Sequence, residues 1–209
     1  MMKELPQLLL LFCFIASWFG LGLQLGILVA NTPENGMTVF GAVAHFFRYF
    51  TILSNLWVAL TCTLLLFRTT VSFFTQPASL SAAAVYIFIV AVVYNVVLRR
   101  LWDPTGLQWV VDNLLHVLVP LLYLLCWWNF SGKPQAWIWA VRWLWFPAAY
   151  LVYALLRGAI DGVYPYPFID LKELGVVRLL INVAGMLLLF LFTGFAVLGI
   201  SRWQQKRRG

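Results

Sequence analysis

Residues 8–30 read LLLLFCFIASWFGLGLQLGILVA, a run without one charged side chain. About 20 apolar residues, each rising 1.5 Å, cover a hydrocarbon core of about 30 Å, so this run reads as a membrane-spanning helix. Lys3 precedes it as it would a signal peptide. The run is too long for a signal core and lacks a small-x-small cleavage site, so it reads as an uncleaved span. The whole chain has the same character. Of 209 residues, 63% are hydrophobic and only 10% are charged, whereas soluble domains carry about 25% charged residues. The surface must therefore face lipid. The apolar runs exceed the 9–11 residues of a barrel strand, which predicts an all-α polytopic membrane protein.

Working outward from this run, six spans are expected at roughly 7–30, 45–67, 80–101, 108–129, 136–157 and 177–201, forming a single six-helix transmembrane domain over 1–209. Breakers fall between them at 31–36 (NTPENG), 76–77 (QP), 103–106 (DPTG) and 131–134 (SGKP). With the N terminus cytoplasmic, the inner flanks hold Lys3, Arg68, Lys133, Arg142, Arg202, Lys206, Arg207 and Arg208, opposed by Glu4 alone. The outer flanks hold Arg48, Arg99, Arg100, Arg157, Lys172 and Arg178. The basic tail weighs most and places both termini inside, in a bacterial cell membrane.

The formal charge of +7 is distributed between spans rather than clustered. It reads as topology signal and contact with anionic lipid, not as a nucleic-acid surface. Membrane lipids are the expected partners, and the sequence does not specify a protein partner. Trp127, Trp128, Trp137, Trp139 and Trp203 near one boundary, with Trp102 and Trp109 near the other, fit interfacial belts. Cys13, Cys62 and Cys126 stand singly in apolar runs. They form neither a disulfide framework nor metal-ligand spacing and read as small buried side chains.

Polar side chains at membrane depth are costly unless paired or facing a cavity. Residues 45–55, HFFRYFTILSN, concentrate them. On a helix Arg48, Thr51, Ser54 and Asn55 fall at i, i+3, i+6 and i+7, which makes one polar stripe. Converting position to depth puts Thr51 about 9 Å below the outer edge, Asp112 and His116 about 6 and 12 Å, Tyr94 and Asn95 about 9 Å, and Asn182 about 8 Å. Four spans thus bring polar groups to one slab, the pattern of a cavity opening outward. Interhelical packing contacts are the alternative for each residue taken alone.

His116 is the sharpest candidate. Asp112 lies one turn before it on the same face, placed to orient the ring. Pro120 lacks an N–H, so the His116 carbonyl loses its helical donor and a kink is expected there. His45 stands at the membrane edge as an interfacial residue. With Asp112 and His116 it makes a set of two histidines and a carboxylate that would suit an open metal site, but the spacing carries no metal signature; haem held by the two histidines is a further alternative with equally thin support. No cofactor or metal is expected. Arg48 and Asp112 are candidates for an ion pair, or Arg48 for holding a lipid headgroup. The loop 161–170, DGVYPYPFID, is stiffened by its two Tyr-Pro steps and reads as a lid, a lipid-facing rim or an interfacial connector.

The stretches RYFTILSN (48–55), DNLLHVLVP (112–120) and YPYPF (164–168), in this order, resemble the prokaryotic six-span branch of the androgen-induced membrane protein family. The animal members are integral-membrane hydrolases of fatty acid esters of hydroxy fatty acids, with a threonine and a histidine as the functional pair. The resemblance implies a lipid-ester hydrolase with Thr51 as nucleophile and His116 as base. It assigns no oxyanion donors; Asn55, Asn95, Asn113 and Asn182 are candidates by chemistry, as Arg48 is for binding substrate. Two other functions fit the same residues: a non-enzymatic binder or carrier of a lipid or small amphiphile, and a structural partner in a membrane complex.

Overall fold

The computed structural model describes residues 5–69, 72–130 and 135–208. Lys3, Glu4, Lys133 and the breaker at 131–134 lie outside the described residues. Among the described residues there is no strand, and the chain is an all-α helical bundle. Besides short helical turns such as Thr32–Asn35, its helices are α1 (Leu5–Ala30), α2 (Val39–Phe46), α3 (Phe50–Leu66), α4 (Pro77–Val93), α5 (Gly106–Asn113), α6 (Val119–Phe130), α7 (Ile138–Arg142), α8 (Trp145–Asp161) and α9 (Leu171–Arg208). Five stretches are long and apolar enough to cross a membrane, and α2 with α3 makes a sixth when counted as one broken span. Large apolar side chains face outward along these stretches, among them Phe12, Phe19, Val177, Leu188 and Phe192. Such a surface is stable only in lipid. This is a multi-pass integral membrane protein.

The expected span at 45–67 is corrected. It is not one helix: α2 and α3 meet at 81° across residues 47–49. Tyr49 is extended (φ −96°, ψ 134°) and caps α3, so α3 begins only at Phe50. Arg48 therefore sits in the break and does not share a helical face with Thr51. The other spans are close to expectation. Pro77 opens α4, where a missing N–H costs nothing. Gly175, in the left-handed region (φ 68°), turns the first residues of α9 away from its long part.

α4 is the central element: in the most apolar 18 residues of the Pro77–Leu98 stretch 61% are buried, against 28–39% in the other continuous spans. It packs on α3, α6 and α9. Ala78, Ser79, Ser81, Ala82, Ala83 and Ala84 are all buried, and their small side chains let neighbouring backbones approach. Polar groups bridge these contacts. Tyr86 donates to the Trp143 carbonyl at 2.7 Å, Tyr123 to the Leu80 carbonyl at 3.1 Å, and Trp127 Nε1 to Ser81 Oγ at 3.1 Å. Trp127 is thus a core residue and not part of an interfacial belt, whereas Trp128, Trp137 and Trp203 are exposed. The three cysteines, far apart in sequence, are all buried and belong to the same core cluster as free thiols.

Two π-helical turns interrupt the bundle at the end where the site lies, at Tyr94–Leu98 after α4 and at Leu114–Leu118 between α5 and α6. Pro120 explains the second. Its absent N–H removes the donor for the His116 carbonyl, and the ladder is re-registered so that Val119 N–H reaches the Leu114 carbonyl. The result is a wider turn that places His116, rather than a sharp kink. The freed His116 carbonyl is not left open: Asn95 Nδ2, from the other π turn, donates to it at 3.2 Å.

Candidate functional site

Thr51 is the second residue of α3, so its N–H belongs to the first turn and has no helical acceptor. The positive end of the α3 dipole lies at the same place. His116 reaches it from the π turn of another span, with Nε2 3.3 Å from Thr51 Oγ1. Sixty-five residues separate the two in sequence.

The ring is held so that Nε2 is the free acceptor. His116 Nδ1 lies 2.9 Å from the backbone carbonyl of Asp112, which accepts only a proton, so Nδ1 carries the hydrogen. The Asp112 carboxylate lies alongside, its Oδ1 3.3 Å from the same nitrogen. Asp112 Oδ2 accepts from the Tyr94 hydroxyl, whose oxygen accepts in turn from Trp102 Nε1 at 3.2 Å. The Tyr94 ring stacks flat on the imidazole, with centroids 3.7 Å apart and planes at 15°. These contacts leave the His116 side chain 16% exposed and Asp112 only 4%.

Tyr166, from the Tyr-Pro-Tyr-Pro loop, completes the site. Its oxygen accepts the Thr51 N–H at 3.4 Å and lies 3.5 Å from Thr51 Oγ1. A relay follows: the Tyr166 O–H donates to Thr51 Oγ1, Thr51 O–H donates to His116 Nε2, and Nδ1–H donates to the Asp112 carbonyl. Burial raises the Tyr166 phenol above its ordinary range, which keeps it a donor at neutral pH. Tyr166 also stacks on Phe168 at 5.1 Å, and through its contacts with Thr51 this part of the loop faces the bundle.

Sequence reasoning missed Tyr166 as a site residue because a loop tyrosine between prolines carries no depth signal. Its inward placement depends on a clamp. Arg48 forms an ion pair with Asp161 and donates to the Val163 carbonyl at 2.7 Å, fixing the start of the loop. The expected pair of Arg48 with Asp112 is therefore corrected. The break before α3 directs Arg48 toward α8, and Asp112 is engaged by Tyr94 and His116 instead. Tyr150 adds a donor to the Arg48 carbonyl at 3.0 Å.

The four candidate asparagines turn their amide donors to backbone. Asn55 donates to the Thr51 and Leu115 carbonyls at 2.8 and 3.2 Å. Asn95 donates to Ala91 as well as His116, and Asn113 to Trp109. Asn182 donates to the Phe168 carbonyl at 3.0 Å, away from the polar group around His116. They position the helices and the loop that carry Thr51, His116 and Tyr166. Asn55 and Asn95 each make two such bonds through Nδ2. His45 lies at the rim with Nε2 3.3 Å from the Tyr49 hydroxyl. Among the described residues no group of three or more His, Cys, Asp or Glu is placed to hold a metal ion. Comparison with protein family models, curated proteins and solved structures finds no match.

Proposed function

We propose that this membrane protein is a lipid-ester hydrolase that uses Thr51 as nucleophile and His116 as base. The observation that carries the reading is the Thr51–His116 contact at 3.3 Å, with the imidazole tautomer set by the Asp112 carbonyl. A weakly acidic hydroxyl becomes a useful nucleophile when a base takes its proton during attack. Thr51 Oγ1 attacks the ester carbonyl carbon while its proton passes to His116 Nε2. The tetrahedral intermediate then collapses, the alcohol oxygen leaves with the proton from His116, and an acyl-threonine remains. Water attacks this ester, giving its proton to His116; the carboxylic acid departs and Thr51 Oγ1 takes the proton back.

The Asp112 carboxylate beside Nδ1 stabilises the imidazolium formed in both halves. Negative charge on the carbonyl oxygen develops at the start of α3, beside the Tyr166 hydroxyl. That hydroxyl is the donor best placed to receive it. The motif resemblance to the prokaryotic branch of the androgen-induced membrane protein family supports the same pair of residues, and we extend the assignment to membership in that branch. The excess of basic residues at the end opposite the site supports cytoplasmic termini in a bacterial cell membrane and a site opening outward.

The test uses the full chain in lipid nanodiscs, with a fluorophosphonate probe and fluorogenic lipid esters. Wild-type protein is expected to be labelled and to turn over ester, while Thr51→Ala and His116→Ala lose about 10³-fold or more of the rate. Undiminished labelling and turnover in both variants would overturn the mechanism. Saturable lipid binding by wild type without any turnover would establish a binder in its place.

A further inference from the structure

Two cavities meet at Thr51, and they differ in chemistry. One, of about 410 Å³, lies between α1, α3 and the two π turns and is walled in part by Gln24, His45, Gln108, Asp112 and His116. Gln24 and Gln108 close its far side through a hydrogen bond of 2.9 Å. The other is narrow, about 80 Å³, and runs between α4, α8 and α9. Beyond the hydroxyls of Thr51 and three tyrosines its walls are hydrocarbon, with Ile89, Val90 and Val93 facing Val183, Met186 and Phe190. Thr51, Tyr94, Leu98 and Tyr166 belong to both cavities, so the nucleophile sits on the partition.

The partition has a direction. His116 and Asp112 line the wide polar cavity and not the narrow one. In ester cleavage the base must return its proton to the leaving alcohol oxygen, which therefore lies on the side of His116. The acyl group then extends from the same carbonyl carbon to the opposite side. From this juxtaposition we infer that the narrow cavity is an acyl-chain site. The substrate is an ester of an unbranched fatty acid with a polar alcohol, the acyl chain lying between α4 and α9 and the alcohol between Gln24 and His116.

The narrow walls admit a linear chain, and away from the partition their one hydroxyl, that of Tyr150, is already donated to the Arg48 carbonyl, so a polar or ring-bearing group left there would forfeit most of its hydrogen bonds. The wide cavity offers amide, imidazole and indole groups to an alcohol bearing further hydroxyls. Val183, Met186 and Leu187 are only half-buried, which lets a chain enter sideways from the bilayer without crossing the polar cavity.

The inference rests on the ester-hydrolase reading for its direction, but its test does not need turnover. Wild-type protein in nanodiscs is irradiated with palmitic acid carrying a terminal diazirine, with and without excess palmitic acid, and the adducts are mapped by mass spectrometry. Competable adducts are expected on α4 at 89–93 and on α9 at 183–190. Competable adducts at Gln24, Leu28 or Gln108, or none that palmitic acid displaces, would overturn the acyl site. A second measurement takes p-nitrophenyl esters of increasing chain length to Met186→Trp. The ratio of kcat/KM for the palmitate to the butyrate ester is expected to fall about 10-fold or more, since each lost methylene contact discriminates on that scale. An unchanged ratio counts against the site. Absence of turnover by wild type with competable α4 and α9 adducts would remove the enzyme reading and leave the acyl site standing. Turnover with adducts in the wide cavity would do the reverse.

Discussion

Replacing Asp112 by Asn separates two roles that a carboxylate beside a catalytic histidine can have. In serine proteases the carboxylate selects the imidazole tautomer, and the corresponding exchange costs about 10⁴-fold in kcat. Here the Nδ1 proton is directed at a backbone carbonyl at 2.9 Å, while the carboxylate oxygen stands at 3.3 Å. Asp112→Asn leaves that carbonyl in place, so Nε2 should remain the acceptor facing Thr51. What is lost is the negative charge beside the imidazolium. A hydrogen bond to a charged group contributes about 1.5–3 kcal/mol, so the rate should fall about 10- to 150-fold at 1.4 kcal/mol per decade. Turnover of a fluorogenic lipid ester measures the rate. Nitrogen-15 spectra of histidine-labelled protein measure the tautomer directly, and with only two histidines in the chain His45→Gln suffices for assignment. A loss near 10⁴-fold with proton transfer to Nε2 would refute the carbonyl as the tautomer-setting group. An undiminished rate would refute an imidazolium beside Asp112.

Arg48→Ala removes the clamp on the 162–170 loop. The Arg48 side chain is 6% exposed but its partner Asp161 is 33% exposed, so the loss is set below a fully buried pair at about 1–3 kcal/mol. Thermal unfolding in detergent should shift down by about 2–4 °C per kcal/mol, with faster proteolysis of the loop; unchanged melting would count against the clamp. Gly158→Ala puts a Cβ into the ring of Tyr164, whereas Gly26→Ala meets nothing within 4 Å. The first should destabilise by about 1–3 kcal/mol and the second be neutral or stabilising by up to about 1 kcal/mol, compared by the same melts; equal effects would refute the packing argument. Tyr166→Phe removes the hydroxyl nearest Thr51 and should lower kcat about 10²- to 10³-fold with little change in KM. Wild-type kcat in this variant would remove Tyr166 from transition-state stabilisation.

The membrane class and the approximate course of six spans were legible in the sequence because they follow from quantities local to each run. Residues 8–30 lack charge over a length that crosses a bilayer, and no packing detail alters that consequence. Depth along a helix is equally local, since the rise per residue is constant. That is why Thr51, Asp112, His116, Tyr94 and Asn95 could be assigned to one slab before any contact was known.

Direction around the axis and breaks in the helix are not local, and there only the tertiary structure decides. The 81° bend ahead of Phe50 sends Arg48 to Asp161 instead of Asp112. The π turn upstream of Pro120 rotates His116 onto Thr51, and Asn95 accepts the cost by bonding the freed carbonyl. Tyr166 reaches the site from a loop whose entry at Val163 is fixed by Arg48, 115 residues before Val163 in sequence. The positions of the polar residues along the spans place them at one depth. Which of their side chains touch depends on helix rotation, set by packing among spans whose hydrophobic surfaces are alike on every side.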